Sequence, residues 1–370
     1  MKIGIITMHK VRNFGSALQA FALQKAIKEL GYESQLIDYI FPKPVRASRI
    51  RRLFLWLSDM ATGFSAKKKK KRFELFYKDY FYLSPNKYDS GSIKLNPPIY
   101  DVFMVGSDQV WNPNFIEGET DFLLGFVPDD KPKLAFASSF AVNTVPENLK
   151  PIYSKFLKRF DAIAVREKYG VDLVKQLAGK ESVHVCDPVI LLDRHQWLSI
   201  SNIHSIKHIG KPYILVYMVA YMFNPFPEVD SIVDEVQNKL GLRVIYLEGS
   251  KRDLFKPNSL INKDSGPLEF ISLFANASFV ITSSFHGAAF SSIFGKPFLG
   301  IVKDKESKGD RIVSLLKILN CENSLVNYNQ SFSFDKERLE DYTCQEDKLD
   351  EYRNSSYHIL KTMLYNIHNG

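Results

Sequence analysis

Cysteine is scarce: the 370 residues hold three, Cys186, Cys321 and Cys344. An odd count at long spacings fits neither a disulfide framework nor a zinc site, and a reducing cytoplasm is the expected home. Long apolar runs are absent too. No stretch reaches the roughly 20 residues that span a bilayer, and the apolar run within Met1–Lys10 is too short for a secretory signal. Two phosphate-binding signatures are missing: no G-x-G-x-x-G opens the first helix, and no G-x-x-x-x-G-K-[ST] occurs anywhere. His, Cys and carboxylates nowhere fall at metal-ligand spacing, so neither a metal nor a resident cofactor is expected. Internal repeats are lacking, and low complexity is confined to the lysine run Lys67–Lys71.

What is present is ordinary globular material, 45% hydrophobic and 24% charged, in a chain long enough for two cores. The net charge of +8 is unevenly placed, with Arg46, Arg49, Arg51, Arg52 and Lys67–Arg72 supplying most of the excess. Such a run is commonly a solvated helix face or loop. The segment Arg51–Leu57, RRLFLWL, also reads as a helix lying on an anionic membrane, which makes 46–72 a candidate for peripheral membrane contact. No recognition motif accompanies the charge, so no nucleic acid partner is expected. Nothing in the pattern specifies an oligomer.

Along the chain, the apolar periodicity predicts a strand at Lys2–Thr7, a helix at Gly15–Leu30 with one buried face, and a second strand at Tyr32–Tyr39. This β-α-β opening belongs to parallel doubly wound sheets, whose ligands lie beyond the carboxyl ends of the strands. Residues 43–98 read as a basic, aromatic insertion with helices near 49–61 and 66–79, ending in turn formers over Ser84–Pro98. Further strands are expected at Asp101–Val105, Lys133–Phe140, Ala162–Val165 and Val183–Val185. A polar, loop-like stretch at Asp193–Lys211 marks the domain boundary, and the pattern then repeats, with strands at Pro212–Val219, Leu242–Leu247, Phe279–Thr282 and Pro297–Val302. The expected domains are 1–195 and 210–345, with an amphipathic helix in 346–370 crossing back onto the first.

Three stretches carry candidate chemistry. In Phe279–Phe298 a buried strand runs through Ser283, Ser284, Phe285, His286 and Gly287 into a helix. Ser283 or Ser284 caps it, small residues keep its first turn thin, and its free N–H groups welcome a phosphate or carboxylate. His286 stands where a proton donor would reach such an anion. The alternative is a buried, satisfied histidine beside helix packing. The second stretch is the first loop, HKVRNFGS, which faces the ligand end of its sheet. The third, Gly106–Pro113, sets an acid, two amides and an indole at a strand end, groups that suit sugar hydroxyls and sugar faces. An Asx-turn with Trp111 filling the core is the competing reading. Arg166, also at a strand end, is either an anion fork or one half of a polar pair at a helix start.

Six motifs in order carry a family resemblance: NFGSALQAFAL at 13–23, GSDQVWN at 106–112, VREK at 165–168, DPVILL at 187–192, GPLEF at 266–270 and TSSFHGAAF at 282–290. Over roughly residues 1–320 the chain resembles the polysaccharide pyruvyl transferases. The resemblance implies a fold similar to the GT-B glycosyltransferases, α/β with two Rossmann-like doubly wound domains facing across a cleft. It implies transfer of the pyruvyl unit of phosphoenolpyruvate, a co-substrate, onto two hydroxyls of a sugar or lipid-linked oligosaccharide in a surface or capsular polysaccharide precursor. A pyruvate ketal forms and phosphate leaves.

By that similarity the C-terminal domain holds the donor, with His286 as catalytic acid and Ser283, Ser284, Phe285, Gly287, Arg311, Arg166 and Lys303 as donor-binding candidates. The N-terminal domain faces the acceptor, with His9, Asn13, Gly15, Ser16, Ser107, Asp108, Gln109, Trp111 and Asn112 as candidates. One departure stands out. Other members carry Arg-Leu-His where this chain has Ser284-Phe285-His286, so the grip of that arginine on the donor falls to other groups. The competing functions are a GT-B glycosyltransferase using a nucleotide sugar and a non-catalytic sugar-binding relative. The pair of Glu with seven residues between them, common in retaining enzymes of the first kind, does not occur between 207 and 325.

Overall fold

The computed structural model describes residues 1–41, 64–116, 119–201, 206, 209–210, 212–219, 223–249, 256–307, 310–330 and 332–369. The helix expected near 49–61 and residues 46–63 of the basic stretch lie outside the described residues. The chain divides into two compact units. One comprises Met1–Val45, Tyr77–Leu192 and Tyr352–Gly370, the other Arg46–Phe76 and Asp193–Glu351.

The first unit is built on seven strands: β1 (Lys2–Ile6), β2 (Glu33–Tyr39), β3 (Leu83–Tyr88), β4 (Val102–Val105), β5 (Lys133–Ser138), β6 (Ala162–Val165) and β7 (Val183–His184). They pair in parallel in the order β3-β2-β1-β4-β5-β6-β7. Helices cover both faces of such a sheet, which is why β1 and β4 read as unbroken apolar runs rather than alternating ones. Strand order reverses between β1 and β4, where Ile5 pairs with Leu36 on one side and Met104 on the other. The helix α1 (Phe14–Glu29) starts on an Asn13 cap and buries nearly its whole circumference, not the single face expected, because nine of its first ten residues are apolar or small and the remaining one, Gln19, is hydrogen-bonded inside.

The strand β3 was hidden in the sequence by its own turn formers, Ser84, Pro85 and Asn86. Proline is tolerated there because β3 is an edge strand. The helix α2 (Ser65–Tyr80) precedes it, with residues up to Phe76 assigned to the second unit. The expectation that 43–98 is one insertion in the first domain is corrected accordingly.

The second unit holds six strands: β8 (Tyr213–Tyr217), β9 (Arg243–Leu247), β10 (Ser259–Asn262), β11 (Phe279–Thr282), β12 (Phe298–Val302) and β13 (Leu325–Asn327). All pair in parallel, in the order β10-β9-β8-β11-β12-β13, so the reversal falls between β8 and β11. The edge strands β10 and β13 have four and three residues, too short for a periodicity to register. The chain ends in a helix, Glu346–Asn369, whose residues from Tyr352 on belong to the first unit. There Ser356 Oγ accepts from Cys186 N (2.9 Å), Arg353 Nε donates to Ile190 O (2.8 Å), and Leu360 and Leu364 are fully buried.

Candidate active site

In the second unit the carboxyl ends of β8 and β11 are sewn together by hydroxyls. Thr282 Oγ1 donates to Tyr217 O (2.7 Å) and accepts from Ser284 N (3.1 Å). Ser283 N also donates to Tyr217 O (3.3 Å), and Ser283 Oγ accepts from Val219 N (2.8 Å). Ser284 takes an extended backbone, and its Oγ accepts from Gly287 N (3.3 Å) as the cap of the helix α3 (Phe285–Ile293). Ser284 is thus committed to starting the helix.

Gly287 has a different reason from the one expected. A Cβ at this position would lie 2.2 Å from Thr282 Oγ1, so its smallness serves the close approach of Thr282 rather than of a ligand. His286 follows the cap by two residues and is half-buried, with its ring edge-on to Phe285 at 5.3 Å. The Arg311 guanidinium lies over the Phe285 ring, 5.7 Å from its centroid. Arg311 opens the helix Arg311–Ile318, whose Asp310 cap accepts from Ile312 N (2.8 Å) and Val313 N (3.3 Å). An imidazole, a guanidinium and the first N–H groups of α3 therefore share one patch at the point of strand reversal, where doubly wound sheets hold ligands. Lys303 is exposed just past β12.

In the first unit the ends of β1, β4, β5 and β6 carry a buried polar network. Thr7 Oγ1 donates to Ser107 O (2.7 Å), and Gln19 Nε2 donates to both Thr7 Oγ1 (3.1 Å) and Ser16 O (3.0 Å). Asp108 sits in the left-handed region (φ 77°), its carboxylate accepting from the Ser16 hydroxyl and from Gln109 N. Asn112 Nδ2 donates to Gln109 Oε1 (2.9 Å). Asn13 Oδ1 accepts from Ser16 N (3.2 Å) to cap α1, and Gly15 is buried in that helix's first turn. His9 is 1% exposed. Its Nδ1 donates to Thr7 O (3.0 Å), which leaves Nε2 facing Asp38 Oδ1 at 3.8 Å.

Two expectations are corrected here. Trp111 is fully buried, with its indole N–H donating to Phe122 O (2.9 Å) and its ring against Phe140 and Phe160. It fills the core and offers no face to a sugar. Arg166 is sealed into the first unit, where its guanidinium donates to Asp187 Oδ2 (2.6 Å) and lies 3.7 Å from Glu167. Burial works against its charge, but Asp187, Glu167 and Asp108 outweigh that and raise its pKa. Arg166 organises this network instead of gripping a donor. Ser107 is likewise buried and donates to Asp187 Oδ2 (3.1 Å).

Asp38 escaped the sequence reading. It is the penultimate residue of β2, is 5% exposed, and accepts from Lys10 Nζ (2.7 Å). Burial raises its pKa, while the nearby His9 ring and the hydrogen-bonded Lys10 ammonium bring it below the ordinary value. An acid near the end of the second strand of a β-α-β unit was the available signal.

Two doubly wound units of this kind, each with its polar residues gathered where the strand order reverses, define a GT-B-like α/β protein. Solved structures of similar fold include UDP-GlcNAc 2-epimerase from Methanocaldococcus jannaschii in complex with UDP-GlcNAc and UDP (11% identity, TM-score 0.57, covering 99% of this chain and 100% of that one). UDP-GlcNAc 2-epimerase from Neisseria meningitidis, bound to UDP-GlcNAc, is similar at 11% identity and TM-score 0.56, over 99% of this chain and 100% of that one. At such identity the likeness concerns the fold alone. No curated protein matches the chain. The polysaccharide pyruvyl transferase model matches residues 13–304, and the chain belongs to that family. Among the described residues no helix is long and apolar enough to cross a membrane.

Proposed function

We propose that the protein transfers the pyruvyl unit of phosphoenolpyruvate to two hydroxyls of a sugar in a surface polysaccharide precursor, forming a ketal and releasing phosphate. The observation that carries this reading is His286, half-buried at the start of α3 beside Arg311 and the helix's first N–H groups. The donor bears a phosphate and a carboxylate on one enol carbon. His286 protonates its methylene, which makes that carbon electrophilic, and a sugar hydroxyl adds to it. Phosphate then departs, and a second hydroxyl closes the ketal.

Positioned acid catalysis of this kind contributes about 10²- to 10⁴-fold. The N–H groups of Phe285 and His286 with Arg311 hold the anions and supply fixed charge where it develops. In this reading Arg311, held over Phe285, takes over from the arginine that relatives carry at the position of Ser284. The acceptor lies with the first unit, near Asn13, Asp108, Gln109 and Asn112, and Asp38 with His9 orders that end. The protein works in the cytoplasm, and the basic residues of 46–72 give it peripheral contact with an anionic membrane bearing a lipid-linked acceptor.

The test is mass spectrometry of candidate oligosaccharides incubated with phosphoenolpyruvate. A mass gain of one ketal-linked pyruvate with stoichiometric phosphate is expected, and His286→Ala should remove it while the variant stays folded. Stabilisation by a nucleoside diphosphate but not by phosphoenolpyruvate would overturn the reading in favour of a nucleotide-sugar enzyme.

A further inference from the structure

A concave site lies at the end of the first sheet opposite the polar network of Thr7, Ser107 and Asp108. It is lined by Lys2 at the start of β1, by Glu33, Ser34 and Gln35 at the start of β2, by Tyr82 just before β3, and by Gln24, Lys28 and Tyr32 around the end of α1. Its volume is about 300 Å³. That is the small end of the roughly 300–1,000 Å³ range of ligand sites. The strands are parallel, so this is the amino end of the sheet. It is separated by the length of β1, about 15 Å, from the loops at Thr7–His9 and Gly106–Asn112.

The lining is prepared for a ligand in three respects. Both carboxamide ends of Gln24 are engaged with backbone: Nε2 donates to Tyr82 O (2.9 Å) and Ser34 O (3.2 Å), and Oε1 accepts from Tyr82 N (3.0 Å). The Tyr82 backbone is therefore pinned while the residue remains 58% exposed. Two ammonium groups lie against aromatic rings: Lys28 Nζ donates to the Tyr82 hydroxyl (3.4 Å), 5.2 Å from that ring's centroid, and Lys2 Nζ lies 5.6 Å from the centroid of Tyr100. Among the described residues neither lysine is ion-paired to a carboxylate, although Glu33 is on the same lining. The Tyr100 hydroxyl donates to Gln35 Oε1 (2.9 Å), which fixes that amide, and the Ser34 hydroxyl is buried without a partner among the described residues.

Phenol rings suit the apolar face of a sugar, an amide and a hydroxyl suit its polar edge, and unmatched ammonium groups suit a carboxylate. We propose that this cavity binds a sugar unit carrying a carboxylate, as an anchor for an acidic glycan apart from the reacting site. The glycan context rests on the pyruvyl transferase reading, whereas the binding itself does not depend on turnover. The carboxylate has two sources, a uronate already in the polymer or the ketal of a sugar already modified.

The experiment titrates the full-length protein, by calorimetry or protein-observed NMR, with three methyl glycosides. One is neutral (galactoside), one is a glucuronide, and one is a galactoside bearing a 4,6-linked pyruvate ketal. The carboxylated sugars should bind at least about fivefold tighter than the neutral one, the gain of a single charge pair near water. The tighter of the two identifies the source. Lys28→Ala should erase the preference, Tyr82→Ala should weaken all three sugars, and Glu33→Gln should tighten the acidic ones. Tyr82→Ala removes an exposed ring and the hydroxyl that accepts from Lys28 Nζ (3.4 Å), while the bonds to Gln24 that hold the chain here are made by its backbone and remain. Equal affinity for the three sugars, absence of binding, or unchanged affinity in Tyr82→Ala overturns the proposal. Transfer to a short acceptor should be equal in wild type and Tyr82→Ala. Failure of that transfer in both would strike the proposed reaction and leave the binding result standing.

Discussion

Gly287→Ala separates two explanations of the turn between β11 and α3 that differ in sign. Were the glycine there to admit a ligand, alanine would point into open space and stabilise the helix by about 1 kcal/mol, the propensity difference between the two residues. The structure puts Thr282 in that space, with Oγ1 at 2.2 Å, Cβ at 2.9 Å and Cγ2 at 3.0 Å from the added Cβ. Thr282 cannot rotate away freely, because Oγ1 both donates to Tyr217 O and accepts from Ser284 N. Overpacking costs about 1–3 kcal/mol. Losing two buried hydrogen bonds adds about 1–3 kcal/mol. After subtraction of the propensity gain, a loss of about 3 kcal/mol remains. Equilibrium urea unfolding measures it, with tryptophan fluorescence as probe, since Trp197 packs 5.0 Å from Phe290 of the same helix. Unchanged or increased stability would refute the steric account and restore the glycine to the ligand.

Three further outcomes follow from the geometry. Trp111→Ala should destabilise the first unit by about 3–5 kcal/mol, as a large core truncation does, and a stable variant with weakened acceptor binding would return Trp111 to the sugar. Under the proposed function, Arg311→Ala should raise KM for phosphoenolpyruvate, and Phe285→Leu should do so more mildly by removing the ring beneath the guanidinium; steady-state kinetics with unchanged KM in both would exclude Arg311 as a donor contact. Asp38 has a depressed folded-state pKa, so the stability it contributes is present above its unfolded value, near 3.8, and lost as pH falls through the lower folded value. Asp38→Asn should therefore be less stable than wild type in urea at pH 7, with the gap closing in acid, and a gap independent of pH would remove the ionic origin.

How much was legible depended on the range over which each feature is encoded. The β-α-β openings of both units were readable from local periodicity, as was a serine cap at Ser283 or Ser284, because cap and helix lie within three residues of each other; the structure places that cap at Ser284 and adds one at Asn13 that the sequence reading had not assigned. The strands β3, β10 and β13 were not, since edge strands are short and tolerate turn formers. The motif GSDQVWN was located correctly, but its residues divide in use: Trp111 faces the core, Ser107 bonds Asp187, and Asp108 bonds Ser16. Nothing in seven consecutive letters distinguishes those directions.

The sequence by itself determined the alternation of strand and helix, the family, and the position of His286 at a helix start, since each follows from neighbours close along the chain. Only the tertiary structure decided that Arg166 is enclosed by acids, that Gly287 makes room for Thr282, and that Lys2, Lys28 and Tyr82 converge on a cavity. The physical reason is that a side chain's use is settled by what packs against it. In the first unit those partners are often far away along the chain, as Thr7 is from Ser107 and Ser107 from Asp187.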